Sequence, residues 1–313
     1  MSSDGRLEYE QRVNRVIDHV REHLAEPLPL AELARVAAFS PFHFHRVFRA
    51  ITGETLFGFI QRQRIEKAAG ALLLPGSPSV LAVALDHGFA SAATFARAFR
   101  AHFGMSATQW RAGGAARWRA GHAPRRKPGK QLRKPRKARR PGRADTHRSH
   151  RKEGTMSIQV KDLPDYHVAY MRYVGPYGPH GIPALWDRLI TWMEPRGLCT
   201  PARIRLGIGY DDPSITAAAQ CRYDACVVVP PDFVGDRWVN VTDVRGGRYA
   251  VTEFAGTADE IEGAWNSMFS AWLPGSGYAP DDRPCYEIYR GEAKTSATTH
   301  GFRCELCLPV KPL

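Results

Sequence analysis

The chain has 313 residues, 43% of them apolar, enough to bury two cores of ordinary size. It contains no run of about 18 apolar residues, and its opening, MSSDGRLEYEQR, lacks the apolar stretch of a secretion signal, so a soluble cytoplasmic protein without a membrane span is expected. All six cysteines (Cys199, Cys221, Cys226, Cys285, Cys304, Cys307) fall in the C-terminal half at irregular spacing, which excludes a small disulfide scaffold and predicts reduced thiols.

The first half reads as helical. Val13, Val16, Ile17, Val20 and Leu24 recur at helical spacing, and Pro27 enforces a stop. Leu30, Leu33, Ala34 and Ala37 mark a short amphipathic helix and a turn. SPFHFHRVFRAITG, Ser40 to Gly53, then repeats as SAATFARAFRAHFG, Ser91 to Gly104, at an offset of 51 residues. Ser40/Ser91, Phe44/Phe95, Arg46/Arg97, Phe48/Phe99, Arg49/Arg100 and Gly53/Gly104 are identical pairs. Serine is a good N-cap and glycine a good C-cap, so each copy predicts one bounded helix of about three turns.

The second copy also follows a short helix (Val80, Val83, Ala84) and a turn at Asp86-His87-Gly88. Helix, turn, helix, twice, is the plan of a DNA reader. In the first copy Phe44, Val47, Phe48 and Ile51 form an inward stripe, and Phe42, His45, Arg46 and Arg49 an outward one. The repeat shift puts Ala93, Ala96, Arg97 and Arg100 outward in the second. Arginines opposite an aromatic core face suit a major groove, where guanidinium reads guanine or clamps phosphate. His43 and His45 diverge at i, i+2, so surface or nucleic-acid contact is expected rather than metal binding.

Residues 125–152 hold 14 basic residues against Asp145 alone, equal to the whole chain's net charge of +13. This Pro- and Gly-rich, like-charged stretch predicts a disordered linker over 114–155, able to separate its neighbours by about 35 Å or more, so rigid docking of the domains is not required by the sequence. Such a linker would add counterion-release affinity for DNA. Beyond it, short strand-like runs such as RLGIGY and DACVVV alternate with helix-like stretches such as IPALWDRLITWME, an approximately duplicated strand-helix-strand-strand unit. In CYEIY, Cys285, Glu287 and Tyr289 share one face, and Tyr286 and Ile288 the other. A glutamate among aromatics can hold a cation by charge while the rings add cation–π attraction.

Two resemblances follow from these motifs. L-A-x-x-A at Leu33 to Ala37, FSPFHFHRVFR, A-x-x-x-G-F-x-S-x-x-x-F-x-R-x-F-R-x-x-F-G from Ala84 to Gly104 and Gln109-Trp110-Arg111 resemble an AraC/XylS-type double helix-turn-helix domain, over residues 1–113. That resemblance implies recognition helices in successive major grooves about 34 Å apart, with Phe42, His45 and Arg46 and then Ala92, Ala93, Thr94 and Arg97 facing bases, and His43, Arg49 and Arg100 beside them. Ala107 departs from the proline usual in that family. The second set, LPDYHVAYMRYVGPY, GYDDP, CRYDACV, GGRYAV, WLPGSGY and PCYEIY, resembles the GyrI-like family over 156–313. It implies an α+β domain that takes a small, aromatic or cationic effector, with Glu287 as its acidic group and Trp265, Tyr173, Tyr210 and Tyr289 as walls.

Together these imply a one-component transcription regulator, not an enzyme, with double-stranded DNA and a small molecule as partners. RNA polymerase is a further partner that the resemblance admits, and either a monomer or a dimer fits two reading heads per chain. A hydrolase acting on a reactive small molecule, and a topoisomerase-inhibitor-like interaction module, are the alternatives the second resemblance leaves. A lone carboxylate without an acid/base partner weighs against the first. Cys304-x-x-Cys307 lacks a second Cys/His pair at zinc spacing, and no phosphate or dinucleotide loop occurs, so neither metal nor cofactor is expected.

Overall fold

The computed structural model describes residues 3–74, 76–122, 157–179, 181–291 and 301–313. The basic stretch that the sequence assigns to a linker lies largely outside these residues.

The helical domain contains α1 (Ser3–Glu22), α2 (Leu30–Val36), α3 (Pro41–Thr52), α4 (Leu56–Ala71), α5 (Val80–Asp86), α6 (Ala92–Phe103) and α7 (Ala107–Gln109), followed by a wide turn at Trp110–Gly114 and α8 (Ala115–His122). Helix α4 is capped by Thr55, whose hydroxyl accepts from the Gly58 N–H at 3.1 Å. It feeds both halves of the domain. Leu56, Phe59 and Ile60 pack with α1, α2 and α3, whereas Ile65, Ala68, Ala69 and Leu72 pack with α5 and α6. Arg64 of α4 also ties the halves, donating to Leu24 O at 2.8 Å, Glu26 O at 2.8 Å and Gly88 O at 2.9 Å.

Helix α8 lies beyond residue 113. The helical domain runs on to residue 122 because Trp118 packs against Phe103 and Trp110, which holds the segment on the second core. Among the described residues no helix is long and apolar enough to cross a membrane.

The C-terminal domain is one antiparallel sheet with two helices on one face. Its strands are β1 (Gln159–Leu163), β2 (Tyr166–Val174), β3 (Arg205–Gly209), β4 (Arg222–Val228), β5 (Asn240–Val244), β6 (Gly247–Gly256), β7 (Tyr278–Pro280), β8 (Cys285–Tyr289) and β9 (Phe302–Pro312), with α9 (Ile182–Met193) and α10 (Ile261–Ser267) between them. The order β1-β6-β9-β8-β3-β4-β2-β5 makes two halves, β2-α9-β3-β4 and β6-α10-β8-β9, which is the duplication expected from sequence. The halves join where β3 pairs with β8, and Gly207 stands opposite Glu287 at that seam. Helix α9 packs on Met171, Tyr223, Ala225 and Val227, and α10 on Ala250, Cys304, Leu306 and Leu308.

The other face of the sheet carries Tyr166, Val168, Tyr170, Leu206, Ile208, Tyr210, Tyr286 and Cys307. Cys304 and Cys307 are therefore on opposite faces of β9, three residues apart in a strand of period two.

The two domains are docked, an arrangement that the linker's composition leaves open. Charged and polar groups from both meet in a dry interface. Arg172 of β2 donates to Asp18 of α1 at 2.8 Å and to Asp224 of β4 at 2.7 Å, and the Tyr170 hydroxyl also donates to Asp18. Arg222 donates to Gln63 of α4 at 2.6 Å, and Thr216 donates to Glu66 of α4 at 2.9 Å. Linker composition is silent about such contacts, because docking is decided by side chains that lie far apart in the sequence.

Glu66 is the strained member of this interface. Burial pushes its carboxyl up to about 7, against the pull of Arg62 at 3.1 Å and the Thr216 hydroxyl. A carboxyl near 4.3 unfolded and near 7 folded takes up a proton on folding, so its effect is to lower stability as pH rises from about 4 to about 7. Glu66→Gln is expected to flatten that part of the profile and to melt at a higher temperature than the wild type at about pH 8. Thermal unfolding of both chains at about pH 5 and pH 8 checks this, and an identical pH slope in the two removes Glu66 as its source.

Candidate nucleic-acid interface and small-molecule cleft

The repeated segments form the two helices α3 and α6, and the repeat is structural in detail. Phe44, Phe48, Phe95 and Phe99 are all buried, and Gly53 and Gly104 end the helices in left-handed conformation with φ of 79° and 70°. Caps differ between the copies. The Ser91 hydroxyl accepts from the Thr94 N–H at 3.2 Å, whereas the Ser40 hydroxyl is engaged by His43 Nδ1 at 3.0 Å and makes no backbone cap. Ser106 and Gln109 form a reciprocal capping box that starts α7, supplying order where Ala107 replaces the usual proline.

His43, His45, Arg46 and Arg49 are exposed on α3, as are Ala92, Ala93, Arg97 and Arg100 on α6. Thr94 is half-buried and hydrogen-bonded to Ser91 at 3.0 Å, at the start of its helix. Phe42 belongs to α3, but its side chain lies outside the described residues. The outward faces hold arginines that the cores do not claim. Such faces can dock in major grooves, with arginine placed for guanine edges or phosphate.

The second site lies between α9 and α10, at the seam of the duplicated sheet. Glu287 is 9% exposed, and its Oε2 accepts from the Tyr223 and Tyr289 hydroxyls, each at 2.8 Å. The Trp265 indole of α10 also hydrogen-bonds to it. Trp186 of α9 donates to the Tyr223 hydroxyl at 3.4 Å and lies edge-on to Tyr289, with ring centroids 5.1 Å apart. Burial pushes the Glu287 carboxyl up, and the Tyr223, Tyr289 and Trp265 hydrogen bonds draw it part of the way back. Among the described residues no basic side chain pairs with it. A buried acid held only by neutral donors and surrounded by rings has capacity for a cation.

Of the residues singled out from sequence, Glu287, Tyr289 and Trp265 come together here. Tyr173 shares their face, opposite Tyr223 in the β2–β4 register. Tyr210 does not join them and is a correction: it continues the alternation of Leu206 and Ile208 onto the other face and stacks beneath Arg21 of the helical domain, 4.7 Å from the guanidinium. Tyr223 and Trp186 were missed. Tyr223 was legible, since period two in RYDACVV separates it from its charged neighbours, but Trp186 sits on a helix whose placement no local pattern reveals.

An array of two helix-turn-helix units beside a sheet with a buried acid among aromatic side chains fits a DNA-binding regulator with a small-molecule-sensing domain. Comparison with known proteins agrees. A helix-turn-helix domain model matches residues 33–113, and the model of the GyrI-like small molecule binding domain matches 156–311. YosT of Bacillus subtilis, an SPbeta prophage-derived protein named as a transcriptional regulator, is 32% identical over 156 residues, which are 50% of this chain and 100% of that protein. The DNA gyrase inhibitor of Escherichia coli K12 is 27% identical over 137 residues, 43% of this chain and 85% of its own. The DNA-binding domain of the global transcriptional factor AdpA, solved with a target DNA, is 33% identical, covering 34% of this chain and 94% of that one at a TM-score of 0.31.

The chain belongs to the proteins that carry a GyrI-like small-molecule-binding domain, here preceded by a helix-turn-helix domain. It is a DNA-binding regulator with a small-molecule-binding domain.

The seam also explains a glycine. A Cβ on Gly207 would collide with the Tyr223 hydroxyl and stand 2.5 Å from Glu287 Oε2. Gly207→Ala is expected to break that hydrogen bond and destabilise the C-terminal domain by about 1–3 kcal/mol. Denaturant unfolding measures this, and an unchanged midpoint would show that the cleft tolerates the methyl group.

Proposed function

We propose that the regulator reads DNA with α3 and α6 and senses an aromatic cation at Glu287. The observation that carries the sensing half is the buried carboxylate with neutral donors and aromatic walls. Trp265, Tyr289, Tyr173, Trp186 and Tyr223 surround the guest, and Glu287 supplies its counter-charge. A guest cation restores the balance that burial disturbs, and the rings replace its water with cation–π contacts.

On the DNA side Phe42, His43, His45, Arg46 and Arg49 act in one groove, and Ala92, Ala93, Thr94, Arg97 and Arg100 in the next. The faces are chemically unequal. Phe42, His45 and Arg46 discriminate bases, while Ala92 and Ala93 offer methyl contacts, so the first unit reads most of the sequence. A monomer with two reading heads suffices for binding, the basic segment between the domains adds phosphate affinity, and the protein works in the cytoplasm on the nucleoid, where RNA polymerase is the partner that a regulator must reach.

Arg46→Ala is expected to relax base preference at one position by about 1–3 kcal/mol, and Arg100→Ala to weaken all duplexes alike. Selection from randomised duplexes followed by competition binding checks this. Equal, sequence-blind losses in both variants would sink the assignment.

For the cleft, titration of the full chain with tetraphenylphosphonium, followed by tryptophan fluorescence, is expected to saturate, and Glu287→Gln to weaken binding roughly tenfold or more. A neutral aromatic of similar size is the control. Equal affinity of both proteins for the cation would remove charge as the basis of sensing.

A further inference from the structure

Both faces of the C-terminal sheet are in use, and strand β4 belongs to both. Alternate side chains of a strand point to opposite faces. Tyr223 meets Glu287 in the cleft at 2.8 Å, while its neighbours Arg222 and Asp224 are buried on the side of the helical domain. From Asp224 the path runs through Arg172, at 2.7 Å, to Asp18 of α1, at 2.8 Å. From Arg222 it runs to Gln63 of α4, at 2.6 Å.

The docked face holds both helix-turn-helix units. On the first, Asn240 donates to Gln11 O of α1 at 3.2 Å, and Tyr210 receives Arg21 of the same helix over its ring. On the second, Ile215 from the β3–β4 connection is buried in the core of Phe99, Phe103 and Trp110, and Asp212 lies 3.6 Å from Arg119. Between them Thr216 contacts Glu66 in α4. The recognition residues His45, Arg46, Arg97 and Arg100 stay exposed in this arrangement, so the C-terminal domain does not mask the DNA-reading faces. What it can control is how the two units stand relative to each other.

The contacts also share buried charges. Arg172 is 2% exposed at its side chain and Asp224 is fully buried, so separating any one partner strands a charge away from water. Loosening one contact alone is unfavourable, and two discrete arrangements are favoured over a gradual slide.

We propose that β4 couples the Glu287 cleft to the relative placement of the two recognition helices. A guest that draws Glu287 from Tyr223 shifts β4, and Arg222 and Asp224 carry the shift to α4 and α1. The coupling rests on the reading of the cleft as a ligand site, yet its test needs no ligand.

That test is a double-mutant cycle on DNA binding by the full chain. Tyr223→Phe removes only the hydroxyl that meets Glu287 and touches nothing in the helical domain. It is expected to change affinity for a selected duplex by about fivefold in the wild-type background, and to have no effect when combined with Asp18→Asn. Thr216→Val serves as a second interface variant in case Asp18→Asn fails to fold, with circular dichroism and thermal unfolding as the check. Wild-type affinity in Tyr223→Phe, or a fivefold effect that survives in the folded interface variant, overturns the coupling. The cation titration fails independently: no cation binding with the expected cycle would discard the aromatic-cation guest and keep the coupling.

Discussion

The charged centre of the contact between the two domains is Arg172, held out of water. A guanidinium in a dry interface is tolerable only with carboxylates to match it, and here they come from two places, Asp18 of the helical domain and Asp224 of the adjacent strand. The pairing holds both aspartates in order. Attraction to Arg172, Arg21 and the Tyr170 hydrogen bond overcomes burial and keeps Asp18 ionised, whereas burial prevails at Asp224 and pushes its carboxyl up. The domain orientation follows from that charge balance and from the apolar seat of Ile215, with α1, α4 and the second core all engaged.

The cleft on the other side of the sheet treats its acid in the opposite way. Glu287 has only hydroxyls and an indole for company, so it lies buried without a cation of its own. One sheet thus keeps a cluster of ion pairs on one face and a carboxyl hydrogen-bonded by neutral donors on the other. A strand is well suited to hold two such environments a single residue apart, because its side chains alternate across a thin layer. The duplication contributes as well: equivalent strands β3 and β8 meet at the pseudo-symmetric seam, which brings Trp186 of α9 and Trp265 of α10 to the same acid and its tyrosines.

The helix-turn-helix units show how far a repeat alone can reach. Identical residues 51 apart became identical structural roles at Phe44 and Phe95, Phe48 and Phe99, Gly53 and Gly104. Local physics suffices there, since caps, helical period and a tight turn are read within a few residues of each other. The same is true of the CYEIY face and the order of strands and helices in the C-terminal half. It fails at Tyr210, where an aromatic in a family-like motif turned out to belong to the interface. It fails again at α8, which basic composition nearby suggested was linker.

What the sequence by itself determined is the inventory: two repeated reading helices, a duplicated α+β unit, and a glutamate on a strand face among aromatic residues. These are properties of local period, caps and composition. What only the tertiary structure decided is the company each residue keeps. The docking of the domains, the choice of Tyr223 and Trp186 as neighbours of Glu287, and the raised carboxyl of Glu66 all arise between segments distant in the chain. Those pairings are settled by desolvation and packing in three dimensions, and neither leaves a signature within one window of sequence.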